Sequence, residues 1–320
     1  MTGPEARFAV DPWDPGYAGV AEAGLGLPLE ESAAPLNLDV EIPGAEWQPI
    51  APTAERRAGC VQFVDGVRRI EARIWFQRDD DGSDPGIAAS YAAGVVRCDG
   101  SATVGSVQVE RGLFSASPAA TDIHTPCGET FHAQMATSGE REVLSAAMQE
   151  RMRSVEIAVA VAARHEQVAV EDDLLVVDGP LRGRENLPRT IGYVKTHQAS
   201  YLPPTHQTIV GRLRAGERTP VFTLGSHWIR HTWYLRLPGP ITHPWAGIVR
   251  CECSSALTPS AAIDVAEVSA ATLPAFASSP HKDGRAPQNL YPIGGLERLL
   301  RHRLGDRGYL YRQLCRAASR

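Results

Sequence analysis

The chain has 320 residues, 43% of them hydrophobic, which is ample for a closed core. A net charge of −5 excludes a generic polyanion binder. No basic leader and no run of about 18 apolar residues occurs, so a soluble, cytoplasmic protein with no membrane partner is expected.

Residues 1–50 hold nine acidic side chains against Arg7 alone, among Pro and Gly, with Trp13 and Trp47 as anchors. Residues 1–55 therefore read as an extended acidic arm. Residues 56–320 read as one folded domain. Regular structure is expected from Ala58: a strand over Cys60–Val64 that ends at a tight Asp65-Gly66 turn, then a period-2 strand over Arg69–Phe76. Asp79 to Ser83 reads as a turn and Ile87–Arg97 as a third strand, which Val104–Val109 extends into a meander; residues 112–136 read as loop.

Thr137-Ser138-Gly139-Glu140 matches a capping box. The helix it opens carries Leu144, Met148, Met152, Val155, Val159 and Ala162 at spacings of three or four and ends near His165. Asp173–Val177 is a buried-type strand running into Asp178-Gly179, and Thr190–Lys195 is another. Further strands are expected over Pro220–Leu224, Thr232–Leu237 and Gly247–Glu252. Helices are expected over residues 256–273, 295–303 and 308–318. Strand, strand, strand, helix, strand is the opening of an RNase H-like fold: a mixed α/β sheet, antiparallel meander plus parallel strands, flanked by helices.

Asp65 and Asp178 each follow an apolar run and precede glycine. If their strands are parallel neighbours, both carboxylates emerge at one end of the sheet, where repulsion calls for a cation. Mn²⁺ or Mg²⁺ suits carboxylate oxygens. Glu156 falls roughly 80° from the centre of its helix's apolar stripe, at the margin from which it can reach the sheet edge. Three such acids can hold two metals that activate water against a phosphodiester. The tail, residues 297–320, has seven Arg against Glu297 and Asp306. Arg298, Arg301, Arg303 and Arg307 would steer a DNA backbone.

At these residues the chain resembles the NurA nuclease family. The likeness rests on Val64-Asp65-Gly66 with an Arg-rich start to the next strand, on Leu174 to Leu181 (LLVVDGPL), on Ile191 to Thr196 (IGYVKT), and on Tyr291-Pro292 opening a helix. The resemblance implies an RNase H-like fold, Mn²⁺-dependent DNA cleavage, a homodimer, and a hexameric HerA-like ATPase partner in end resection or antiviral defence. By position it implies Asp65, Glu156 (or Glu150) and Asp178 as metal ligands and Lys195 as the lysine after the second acid. The tail departs from the family pattern at Leu-Glu-Arg-Leu-Leu-Arg-His, where Glu297 or His302 fills the last role or the ligand is missing.

Other signals point elsewhere or nowhere. His227 and His231 are four apart without the Glu of a helical zinc motif. His243-Pro244-Trp245 reads as a packing corner or a base-stacking platform. The six cysteines form no C-x-x-C pair and suggest neither a zinc knuckle nor a disulfide framework. No phosphate-binding loop is present, so an ATPase would be a separate polypeptide. The competing readings are a non-catalytic adaptor capping a motor and an enzyme acting on RNA–DNA hybrids.

Overall fold

The computed structural model describes residues 30–31, 34–77, 82–166, 173–196, 199–225 and 228–319. In chain order the strands are β1 (Glu30–Glu31), β2 (Leu36–Asn37), β3 (Cys60–Gln77), β4 (Ser83–Cys98), β5 (Ala102–Ser115), β6 (Ile123–His124), β7 (Thr130–Met135), β8 (Asp173–Asp178), β9 (Thr190–Val194), β10 (Ala199–Ser200), β11 (Phe222–Gly225), β12 (Ile229–Arg236) and β13 (Ile248–Ser254). The helices are α1 (Arg141–Glu166), α2 (Pro204–Arg212), α3 (Pro259–Thr272), α4 (Tyr291–Arg303) and α5 (Arg307–Ala318). The architecture is mixed α/β, with parallel and antiparallel strand pairs flanked by helices, as expected. The chain divides into two compact units, one of Met1–Val61 with Glu171–Gly294 and one of Gln62–Val170 with Gly295–Arg320.

The unit of Gln62–Val170 and Gly295–Arg320 is built on the expected meander. β4 and β5 are antiparallel from Gly86↔Ser115 to Cys98↔Ala102, with a bulge at Gly94/Val96. β7 then lies parallel to β5, and β6 antiparallel to β7. Gly86–Val96 is buried throughout, because helices cover both faces of the sheet. Ala88 and Leu113 pack with Ala72, Phe131 and Leu314 of α5, and Gly94 leaves room for Leu296 and Leu300 of α4. On the opposite face Tyr91 donates to Glu110, which also pairs with Arg151 of α1. The apolar stripe of α1 is buried as the spacing required, with Ala163 rather than Ala162 as its last member.

Three local expectations are corrected here. Cys60–Val64 and Arg69–Phe76 are one strand, β3, which runs straight through Asp65-Gly66. Residues 112–136 are not all loop: the end of β5 together with β6 and β7 occupies much of the stretch, paired through Gly112↔His132 to Ser115↔Met135. The capping box does not form as drawn, since α1 starts at Arg141 with Leu144 donating to the Glu140 carbonyl, and Ser138 Oγ only accepts from the Glu140 amide. Asp79 to Asp81 of the expected turn lie outside the described residues.

In the other unit β2, β11, β12, β13 and β9 are joined antiparallel, and β9 pairs parallel with β8. α3 covers one face, where Trp233 Nε1 donates to Ser269 Oγ. On the other face Trp47, Leu202, Val210, Leu213, Phe222, Leu224, Tyr234 and Ile248 form a core. Trp47 is the anchor its sequence position suggested, and Glu41 nearby accepts both guanidinium nitrogens of the buried Arg218 at 2.8 and 2.9 Å. Trp13 lies outside the described residues.

Candidate functional site

In the unit of the meander, two buried acids each approach one glycine. Asp65 lies inside β3, 9% exposed, and its Oδ1 accepts from the Gly66 amide at 2.7 Å. Glu156, also 9% exposed, projects from the middle of α1 onto Gly66. A Cβ added to Gly66 would stand 2.3 Å from Glu156 Oε1 and 2.9 Å from its Cγ. The glycine is thus required by a close approach rather than by a turn: any side chain at 66 would displace the Glu156 carboxylate. Helix phase put Glu156 at the margin of the stripe, and a margin residue on a helix packed against a sheet reaches the backbone of the strand beneath it. Glu150 is exposed and pairs with Arg153.

The same unit carries the tail residues. Glu297 of α4 is 7% exposed, and its Oε1 accepts from Arg301 at 2.6 Å. His302 is exposed. Arg298, Arg301, Arg303 and Arg307 are all on the surface, beside exposed Tyr309 and Tyr311. These tyrosines were not marked in the sequence; on an amphipathic helix rich in arginine, two exposed aromatics were the available signal. The C-terminal end of α4 is fixed by two arginines, Arg69 and Arg111, which both donate to the Leu304 carbonyl. Arg69 is held in turn by the buried Glu71, and Arg111 by Glu129 and Ser90. The Arg111 guanidinium holds the Glu129 carboxyl below its ordinary range.

The other unit holds Asp178 and Lys195. Asp178 is the last residue of β8, and Gly179 follows with a φ of 102°, a conformation that suits glycine. Lys195 leaves the end of the neighbouring β9, and its Nζ donates to Asp178 Oδ2 at 2.5 Å. Nζ also donates to Asn289 Oδ1 at 3.0 Å, and Asn289 Nδ2 donates to Asp283 Oδ2 at 2.6 Å. The facing oxygen of Asp283 accepts from the Arg285 amide. Burial pushes the Asp283 carboxyl up, but the Asn289 amide and Arg285 outweigh it and hold the group below its ordinary value. Behind this row Tyr193, whose Cα partners that of Asp178, donates to the Gln288 carbonyl at 2.7 Å. Burial first, then Cys251 and Asp178, push the Tyr193 phenol well up, so it stays a neutral donor. Asn289 and Asp283 were missed, because they stand in a loop rich in Ser, Pro and Gly that has no period to read.

The remaining signals resolve simply. Trp245 packs edge-to-face on Tyr234 at 5.8 Å, so His243-Pro244-Trp245 is a packing corner. His231 is bonded to Thr223 and to the Leu257 carbonyl, while His227 lies outside the described residues. All six cysteines are free thiols, and burial pushes Cys253 up to about 12. Among the described residues no group of three or more His, Cys, Asp or Glu gathers in a way that could hold a metal ion. Asp65 and Glu156 nevertheless suit a hard divalent cation by donor chemistry, being buried carboxylates that flank one Cα. Among the described residues no helix is long and apolar enough to cross a membrane. No protein-family model and no curated protein matches the chain.

Proposed function

We propose that this chain is a metal-dependent DNA nuclease of RNase H-like type, with Asp65, Glu156 and Asp178 as its carboxylates. The observation that carries the reading is the buried Glu156 carboxylate seated on Gly66, the residue that follows the buried Asp65. Buried carboxylates are the donors that a hard divalent cation takes. Asp65 and Glu156 in one unit and Asp178 in the other are the acids proposed to take Mn²⁺ or Mg²⁺, which would supply Lewis acidity toward a phosphodiester. Lys195 holds the Asp178 carboxylate and brings a positive charge for a phosphate oxygen. Glu297 lies within the fold of α4, and His302 faces outward to meet the backbone. The exposed arginines of α4 and α5 attract DNA, and Tyr309 and Tyr311 offer stacking faces. A homodimer working with a HerA-like hexameric ATPase, in DNA end processing or antiphage defence, follows from the family resemblance.

A second reading, a catalytically degenerate adaptor that caps such an ATPase and guides DNA, is favoured by one feature: Asp178 is already neutralised by Lys195. Incubating the purified protein with labelled linear DNA separates the two. Products with Mn²⁺, none with EDTA, and none from the Asp65→Ala/Asp178→Ala variant support the nuclease. DNA binding with no cleavage under any divalent ion supports the adaptor.

A further inference from the structure

We infer that Asn289 and Asp283 are positioning residues that hold the Lys195 ammonium on Asp178; the functional half of this inference rests on the nuclease reading. A lysine has a long flexible stem, and its charge finds Asp178 reliably only if a second group fixes the other side of Nζ. Asn289 is that group: it is 1% exposed and offers Oδ1 to Nζ. An amide can flip, and a flipped Asn289 would turn its NH₂ toward the ammonium. Asp283 prevents the flip, because its carboxylate accepts only from the Nδ2 side, at 2.6 Å. Asp283 is itself fixed by the Arg285 amide at 2.8 Å. The loop that carries Asn289 is anchored next door, where Gln288 accepts from Tyr193 on the strand beside β8. The row Asp283, Asn289, Lys195, Asp178 therefore alternates acceptor and donor without a mismatch.

The experiment exploits composition, since Lys195 and Lys282 are the only lysines in the chain. Lys195 is 8% exposed at its side chain, and Lys282 is exposed and serves as the internal reference. Limited acylation of the full-length protein with an N-hydroxysuccinimide ester, read by mass spectrometry, reports whether Lys195 is held, independently of any activity. In Asn289→Ala, Lys195 labelling relative to Lys282 should rise by about tenfold, and kcat on DNA should fall by about tenfold with KM little changed. Asn289→Asp alone sets two carboxylates against each other and should also release the lysine. Asn289→Asp/Asp283→Asn restores the row, because the carboxylate and the amide simply trade places and the exchanged carboxylate accepts from both Lys195 and the exchanged amide. It should return labelling and kcat to within about threefold of wild type.

Unchanged labelling in folded Asn289→Ala or Asn289→Asp overturns the inference. So does a rise that the double exchange fails to reverse, since that marks general loosening of the loop. If Asn289→Ala does not fold, the Asn289→Asp pair of variants decides alone. A wild-type protein that never cuts DNA sinks the nuclease reading and leaves the labelling result standing.

Discussion

Asp65-Gly66 and Asp178-Gly179 are nearly identical in local sequence, an apolar run followed by Asp-Gly, and the chain uses them for different ends. The first lies within an 18-residue strand, and its glycine is there for space, to let the Glu156 carboxylate down onto the backbone. The second closes a six-residue strand, and its glycine is there for its φ of 102°, with nothing within 4 Å of where a Cβ would be. One acid accepts from the amide of the glycine that follows it; the other is set against a lysine held by an amide. A glycine after an acid thus answers either a packing demand or a backbone demand, and only the surroundings tell which.

The largest expected effect falls on the acids themselves. Asp65→Ala and Asp178→Ala should each take Mn²⁺-dependent cleavage to background, because each removes a carboxylate proposed to bind the metal. Their effects on folding should differ. Asp65→Ala removes the carboxylate that accepts from the Gly66 amide inside β3 and should cost about 0.5–1.5 kcal/mol. Asp178→Ala strands the Lys195 ammonium, 8% exposed at its side chain, and should destabilise by about 1–3 kcal/mol. Calorimetry together with a cleavage assay checks both, and equal melting shifts would erase the contrast.

The glycines sharpen the comparison with smaller changes. Gly66→Ala places a methyl 2.3 Å from Glu156 Oε1. The glutamate must swing away, at a cost of about 1–3 kcal/mol, and cleavage should drop nearly as far as in Asp65→Ala. Gly179→Ala meets no atom but strains the backbone by about 1–2 kcal/mol, so it should lower the melting temperature while retaining most of the activity. Wild-type cleavage by Gly66→Ala would show that Glu156 is not needed where it sits.

What the sequence could reveal followed from the range of each signal. α1, β8, β9 and α3 were legible because their periods are local and nearly unbroken. β3 was split in two because Asp-Gly is ordinary turn chemistry, and only the descending Glu156 explains the glycine. α2 was missed since Thr205, His206, Gln207 and Thr208 give it a polar, weakly helical start, and its helix depends on burying Val210. In the candidate site, the acids could be picked out one by one. Asn289 could not, for its value lies in a hydrogen bond to a lysine 94 residues earlier in the chain, nor could Asp283, which bonds to Asn289.

The smallest effects, and the finest test, concern α4. Glu297 and His302 are five residues apart, about 140° around a helix, so they cannot both face the same way. Glu297 is 7% exposed and tied to Arg301; His302 is in solvent. Arg301 is itself 63% exposed, so loss of its partner should cost at most about 1 kcal/mol of stability. Glu297→Gln keeps the shape and removes only the charge; if that carboxylate contributes to the centre, the rate at saturating DNA falls while KM holds. His302→Ala removes one surface hydrogen-bonding group, worth about 0.5–1.5 kcal/mol, and should raise KM by a few-fold with the saturated rate intact. Steady-state kinetics on one DNA substrate reads both variants side by side. Normal cutting by Glu297→Gln with a dead His302→Ala would invert the assignment, and put the outward face of α4, not its buried face, at the chemistry.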